Sequence, residues 1–163
     1  MNYLRQATLE DMEFLAPRLR EADILEIQAF TQGSIEDALK ASLVASDECW
    51  IMVSPRGEPA GVVGIGKTAK ESVGMIWLMA THELEAYPMT FLRHSKEFIS
   101  HIFQTHPYIL LHNYTDARNL VHHKWLKWCG AVALNKIPLG IHGEDFYEFV
   151  IKDNKPCVLS SLP

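Results

Sequence analysis

Asp116-Ala-Arg-Asn119-Leu-Val-His-His-Lys-Trp125-Leu-Lys-Trp128-Cys-Gly130 is the stretch that decides the fold. Leu120, Val121, Trp125 and Trp128 recur at helical spacing, which predicts a helix with one apolar face. Asp116 is a residue type that caps helices, because its carboxylate accepts amide protons left unpaired in the first turn. Gly130 supplies the left-handed backbone that ends a helix. Tyr108-Ile-Leu-Leu-His112 leads in as a strand. The rest of the chain is built around this strand–helix unit.

Upstream, Met75-Ile-Trp-Leu-Met-Ala80 is continuously apolar, as expected of a central strand covered on both faces. Trp50–Val53 and Ala60–Ile65 flank a Pro/Gly turn and predict a hairpin. Ser34-Ile-Glu-Asp37 opens a helix with the stripe Ile35, Ala38, Leu39, Ser42, Leu43. Tyr3–Ala7 predicts a short strand, and Thr8-Leu-Glu-Asp11 has a near capping-box pattern. That pattern opens a helix through about Glu21, which Pro17 bends or breaks. Thr90–Phe103 is a helix with Phe91, Leu92, Phe98, Ile99, Ile102 and Phe103 on one side; Ala131–Leu134 and Asp145–Ile151 are strands. The predicted order is β-α-α-β-β-β-α-β-α-β-β. It describes an α/β protein: one twisted mixed sheet with helices on both faces, in a single domain over 1–163. The core runs over about 3–151 and a tail over 152–163.

A chain of 163 residues is long enough to bury about 70% of its unfolded surface. Its formal net charge of -5 argues against broad nucleic-acid binding, which rewards clustered Lys and Arg. Three cysteines, Cys49, Cys129 and Cys157, cannot all pair within the chain and form no CxxC, so reduced thiols in a cytoplasmic compartment are expected. No signal core or membrane-length apolar run is present. Neighbouring His122 and His123 point in different directions on a helix, and His94 and His101 lack a carboxylate partner. No Cys/His set has zinc spacing and no GxSxG appears, so no metal is expected and the histidines are assigned to surface or packing roles.

The Asn119-to-Gly130 spacing, the element order and the opening Leu4-Arg5-x-Ala7-x-x-x-Asp11 resemble the GCN5-related N-acetyltransferases (GNAT). That resemblance implies acetyl-coenzyme A in a cleft between the fourth and fifth strands, with its pantetheine beside the backbone of Leu78, Met79 and Ala80. It also implies a pyrophosphate on the amides opening the next helix, where free N–H groups and the macrodipole favour anions. The family's loop there is (Gln/Arg)-x-x-Gly-x-(Gly/Ala). Here Thr81–Thr90 has no glycine, carries Glu83 and Glu85, and loses a donor at Pro88, so phosphates would approach Arg93 or Lys96 instead. Gly61-Val-Val-Gly64-Ile-Gly66 has a similar spacing but lies within a strand pattern, where glycines serve close packing. The family's proton-donating Tyr, seven residues after the Asn, is replaced by Leu126, leaving Tyr114 as the nearest phenol for a general acid. Met75–Ala80 offers no general base.

More narrowly, Asp23–Ile27, Gly74–Thr81 and Asn113–Gly130 with its Trp-Leu-Lys-Trp block resemble a small family of internal virion or virion-assembly proteins of short-tailed phages. This implies a GNAT scaffold acting in particle morphogenesis through protein partners, in host cytoplasm or virion, with a degenerate acetyl-coenzyme A site. Its affinity for acetyl-coenzyme A would be weaker than roughly 1 mM, about 4 kcal/mol. The alternative is a divergent acyl-coenzyme A-dependent N-acetyltransferase acting on a small amine or a protein. Neither membrane nor nucleic acid is expected as a partner.

Overall fold

A computed structural model describes residues 3–154; Cys157 and the expected tail from residue 155 onward lie outside the described residues. Seven strands form one sheet: β1 Leu4–Gln6, β2 Glu48–Val53, β3 Pro59–Lys67, β4 Val73–Ala80, β5 Leu110–Asp116, β6 Val132–Pro138 and β7 Asp145–Lys152. Their order is β1-β2-β3-β4-β5-β7-β6, antiparallel throughout except for the parallel β4–β5 pair. The helices are α1 Leu9–Leu15, α2 Glu21–Gln28, α3 Ile35–Ala45, α4 His82–Ala86, α5 Pro88–Thr105 and α6 Leu120–Trp128. The strand sequence matches the expected order, and helices cover both faces.

Two short helices, α2 and α4, go beyond that expected order. A complete Thr8/Asp11 capping box starts α1, but Pro17 ends it outright in a 3-10 turn over Ala16–Arg18. The chain restarts as α2, whose inward face is Asp23, Glu26 and Ile27. Two carboxylates on the buried face erase the apolar stripe, so sequence periodicity could not show this helix. Below the sheet, α1 and α3 pack Met12, Leu15 and Leu39 on Ile51 and Val62. Above it, α5 and α6 pack Phe98, Ile102, Trp125 and Leu126 on Ile76 and Leu78.

The strand buried on both faces is β3, from Ala60 through Gly66. β4 is central as expected, yet only its α5–α6 face is fully covered. On the other face Met75 is 41% exposed and Trp77 and Met79 are partly buried, because a cleft opens there.

In α6 the cap is the Asn of the Asn119-to-Gly130 spacing, three residues beyond the Asp116 that side-chain chemistry alone favours. Asn119, not Asp116, takes the N-cap position, its Oδ1 accepting the His122 amide at 3.2 Å. Asp116 instead accepts the Arg118 amide and guanidinium. The buried stripe is His122, Trp125 and Leu126, whereas Leu120, Val121 and Trp128 are exposed. A histidine thus occupies a core position on this helix. Gly130 does end the helix, with φ of 84°. Gly130→Ala is expected to cost about 1–2 kcal/mol, the left-handed penalty for an L side chain, measured by urea denaturation.

Candidate functional site

The parallel pairing of β4 with β5 covers only Val73↔Leu110, Gly74↔Leu111 and Met75↔His112. At the apex, Asn113 Nδ2 donates to the Ile76 carbonyl at 2.9 Å, and beyond it the strands part. Backbone direction alternates along a strand, so the N–H and C=O groups of Leu78 and Ala80 face this gap while those of Met79 face β3. The Ala80 amide donates to Asp23 Oδ2 at 3.1 Å, and the Ala80 carbonyl accepts the Arg20 amide at 3.0 Å. The start of α2 therefore spans the far end of the gap, and Leu78 lies between the two closures.

Around that closure sits a buried polar cluster of Arg20, Asp23, Glu26, Asn119 and His122. Arg20 Nε donates to Asp23 Oδ2 at 2.8 Å. Asn119 Nδ2 donates to Asp23 Oδ1 at 3.2 Å and to Glu26 Oε2 at 3.0 Å, so the α6 cap also ties α6 to α2. Burial pushes the Glu26 carboxyl up to about 7, and the Asp23 charge adds to this against the Asn119 hydrogen bond. Burial pushes the His122 imidazole down to about 4, so it is neutral at pH 7, and its Nδ1 is buried with no partner.

Ligand atoms of Asp23, Glu26 and His122 lie within 4.8 Å of one another, a constellation the sequence spacing did not show. The positive charge beside Asp23 is already supplied by Arg20, and the Asn119 amide occupies the space between the carboxylates. Such an arrangement suits a group that takes and releases a proton. His122 is buried within this cluster, and Glu26 is a buried carboxylate near the fourth strand that sequence reasoning missed. The one available signal was the i, i+3 spacing of Asp23 and Glu26, which places both on one helix face.

A cleft of about 370 Å³ enters from the α2–α3 face. Its lining includes Phe30, Met75, Trp77 and Tyr114, and it reaches Glu26, His122 and Leu78. Tyr114 lies within β5, not at its end, and its ring meets His112 edge-on at 5.1 Å. Tyr114 and Leu78, two of the residues singled out from sequence, are therefore brought to one cleft.

The expected phosphate end is built differently. Thr81 caps α4, its hydroxyl accepting the Glu83 amide at 3.2 Å, and Glu83 and Glu85 fill the first turn. Pro88 then opens α5. Phe91 stacks on Trp125 at 5.7 Å, and Trp125 Nε1 donates to Ser95 at 2.8 Å. The space left among Leu78, Phe91, Ser95 and Trp125 is about 10 Å³, roughly one water's worth. Arg93 is exposed, and the Lys96 ammonium lies 4.2 Å over the Trp128 ring. Lys96 stands about 12 Å along α5 from Pro88. The glycine-spaced segment is part of β3, and a Cβ on Gly64 would run into the Trp77 ring. The α4 turn, with Glu83 and Glu85 in its first turn and no glycine, does not fit a diphosphate.

Solved structures match this architecture over nearly the whole chain. A spermidine N-acetyltransferase from Vibrio cholerae, in complex with CoA and spermine, is 13% identical with a TM-score of 0.71, covering 93% of this chain and 95% of that one. A GNAT-family acetyltransferase from Bacillus anthracis is 14% identical with a TM-score of 0.70, covering 93% and 95%. The fold is that of the GNAT acetyltransferases. A third GNAT-fold structure, an aminoglycoside acetyltransferase with ribostamycin and coenzyme A, is 13% identical with a TM-score of 0.68, covering 91% and 92%. No family model matches the chain, and no curated protein matches it in sequence. None of these three structures is a virion protein, and the expected particle-assembly role has no support from them. Among the described residues no helix is long and apolar enough to cross a membrane.

Proposed function

We propose that the protein is a divergent acyl-coenzyme A-dependent N-acyltransferase that acylates a primary amine, with acetyl as the simplest acyl group. The observation that carries this is the position of Glu26. It is a buried carboxyl poised near neutrality, in a cleft that reaches the parting of β4 and β5. An amine entering from the α2–α3 face arrives as an ammonium ion and must lose a proton before it can attack. Glu26 accepts that proton; Asn119 holds the carboxylate, and Asp23, paired with Arg20, stays in place behind it. A carboxyl near pH 7 is suited to this work, which is typically worth 10²- to 10⁴-fold. The Tyr114 phenol, on the same cleft, is the candidate to donate a proton to the departing thiolate.

When bound, an acyl thioester supplies the acyl group. The Leu78 N–H and C=O would hold its arm, with the Met79 side chain on the cleft wall and Ala80 engaged by α2. Arg93 and Lys96 are the cations nearest in sequence to the α5 start that would meet the phosphates. Titration with acetyl-coenzyme A by calorimetry should give a Kd near 1 mM, about 4 kcal/mol. Replacing both Arg93 and Lys96 by Glu should weaken it beyond detection. Unchanged affinity in that variant would refute the phosphate placement, and no heat at several millimolar from the unaltered protein would sink the donor assignment.

A further inference from the structure

We infer that the acceptor is a monoamine carried on a flat apolar body, and that extended polyamines and aminosugars are excluded. This rests on the acyltransferase reading and names the substrate class of the same cleft. Among the described residues lining the cleft, Glu26 is the single charged side chain. Its other walls are Phe30 and Ile27 from the α2 end, Ala38, Ser42 and Ala45 from α3, and Met75, Trp77 and Met79 from β4. His122 adds no positive or negative charge at pH 7, since burial holds it neutral.

A polyamine carries several ammonium groups at neutral pH. Each one taken out of water without a counter-charge is costly, because desolvation of a cation is not offset by apolar contact. Glu26 can compensate one ammonium and no more. The aromatic walls favour the opposite end of the ligand. Phe30, Trp77 and Tyr114 present ring surfaces, and rings pair with an aromatic body in offset or edge-on geometry. The Trp77 indole is held in place, its Nε1 donating to Ser46 at 2.9 Å, so this wall does not need ligand to order it. A cleft of about 370 Å³ is within the range of small-ligand sites, and an aminosugar bearing several ammonium groups meets the same charge penalty as a polyamine.

The test uses the full chain and two probes, 2-phenylethylamine and spermidine, with binding followed by Trp fluorescence and calorimetry in the absence of any acyl donor. At pH 8 and 0.15 M salt, 2-phenylethylamine should bind at least tenfold more tightly than spermidine. Glu26→Gln should remove most of that affinity. Ser42→Asp, which adds a second carboxylate on the α3 wall, should raise spermidine affinity at least fivefold. Equal or tighter binding of spermidine by the unaltered protein would overturn the inference, as would an unresponsive Ser42→Asp variant that is folded by circular dichroism. Acetyl transfer is then measured separately. Selective binding without turnover upholds the acceptor class and sinks the acyltransferase reading. Turnover on spermidine equal to that on 2-phenylethylamine does the reverse.

Discussion

Glu26→Gln should lower kcat/KM for amine acylation by about 10²- to 10⁴-fold, the contribution of a positioned general base, while making the protein more stable at alkaline pH. Both effects have one cause. The carboxyl titrates near 7 in the fold against an ordinary 4.5, because its charged form is buried. Its neutral form is therefore favoured by folding, and stability is lost as pH rises from about 4.5 through 7. The full cost above that window is about 3 kcal/mol at most, at 1.36 kcal/mol for each pH unit. Glutamine keeps an acceptor for Asn119 and removes the charge, so thermal unfolding at pH 8 should shift upward by several degrees. Activity of the unaltered protein should climb with pH to a plateau just above 7. A Glu26→Gln enzyme with unchanged kcat/KM would dismiss the base assignment, and an unshifted melting temperature at pH 8 would dismiss the buried charge.

His122 titrates in the opposite sense. Its folded value is about 4 against 6.5, so stability falls as pH drops from about 6.5 through 4. Between about 4.5 and 6.5 the two groups oppose each other, and stability should be nearly flat across that window. In Glu26→Gln the histidine acts alone, and stability should fall monotonically on acidification from 6.5.

The second large effect is expected at Asp23. Its carboxylate is fully buried and accepts from Arg20, Ala80 and Asn119. Among the described residues, Asp23→Asn leaves the buried Arg20 guanidinium with Glu85, 3.6 Å away and 43% exposed, as its remaining ion-pair partner. Breaking one side of a buried pair typically costs 3–5 kcal/mol. Urea denaturation should therefore show about that loss. The midpoint should move without a comparable change in slope if the native fold persists. A loss below about 1 kcal/mol would mean that Glu85 or solvent reaches Arg20 in the folded protein.

Much of the scaffold was legible in the chain. Alternation and apolar runs gave the strand order, and Ser34, Thr8 and Gly130 punctuated their helices as their side-chain chemistry requires. The Asn119-to-Gly130 spacing in the sequence points to the GNAT fold. What could not be read is what depends on contacts distant in sequence. Asp23 and Asn119 meet across 96 positions. Nothing local tells whether a carboxylate on a short helix faces water or the core. The same holds for α6: Asp116 is engaged by Arg118, Asn119 takes the cap, and His122 lies on the buried face. Tyr114 and Leu78 could be named from strand reasoning, but their meeting with Glu26 in one cleft required the third dimension.

The parting of β4 from β5 is braced at both ends by the protein itself. Asn113 pins the apex on the Ile76 carbonyl, and the start of α2 clasps both backbone groups of Ala80. An aperture held this way exists before any guest arrives. A guest then loses its own freedom on entry without also having to order its host, which is how rigid sites reach useful affinity from few contacts. In the free protein the Ala80 amide should exchange with deuterium as slowly as amides in the centre of β3, and addition of acceptor should leave that rate unchanged.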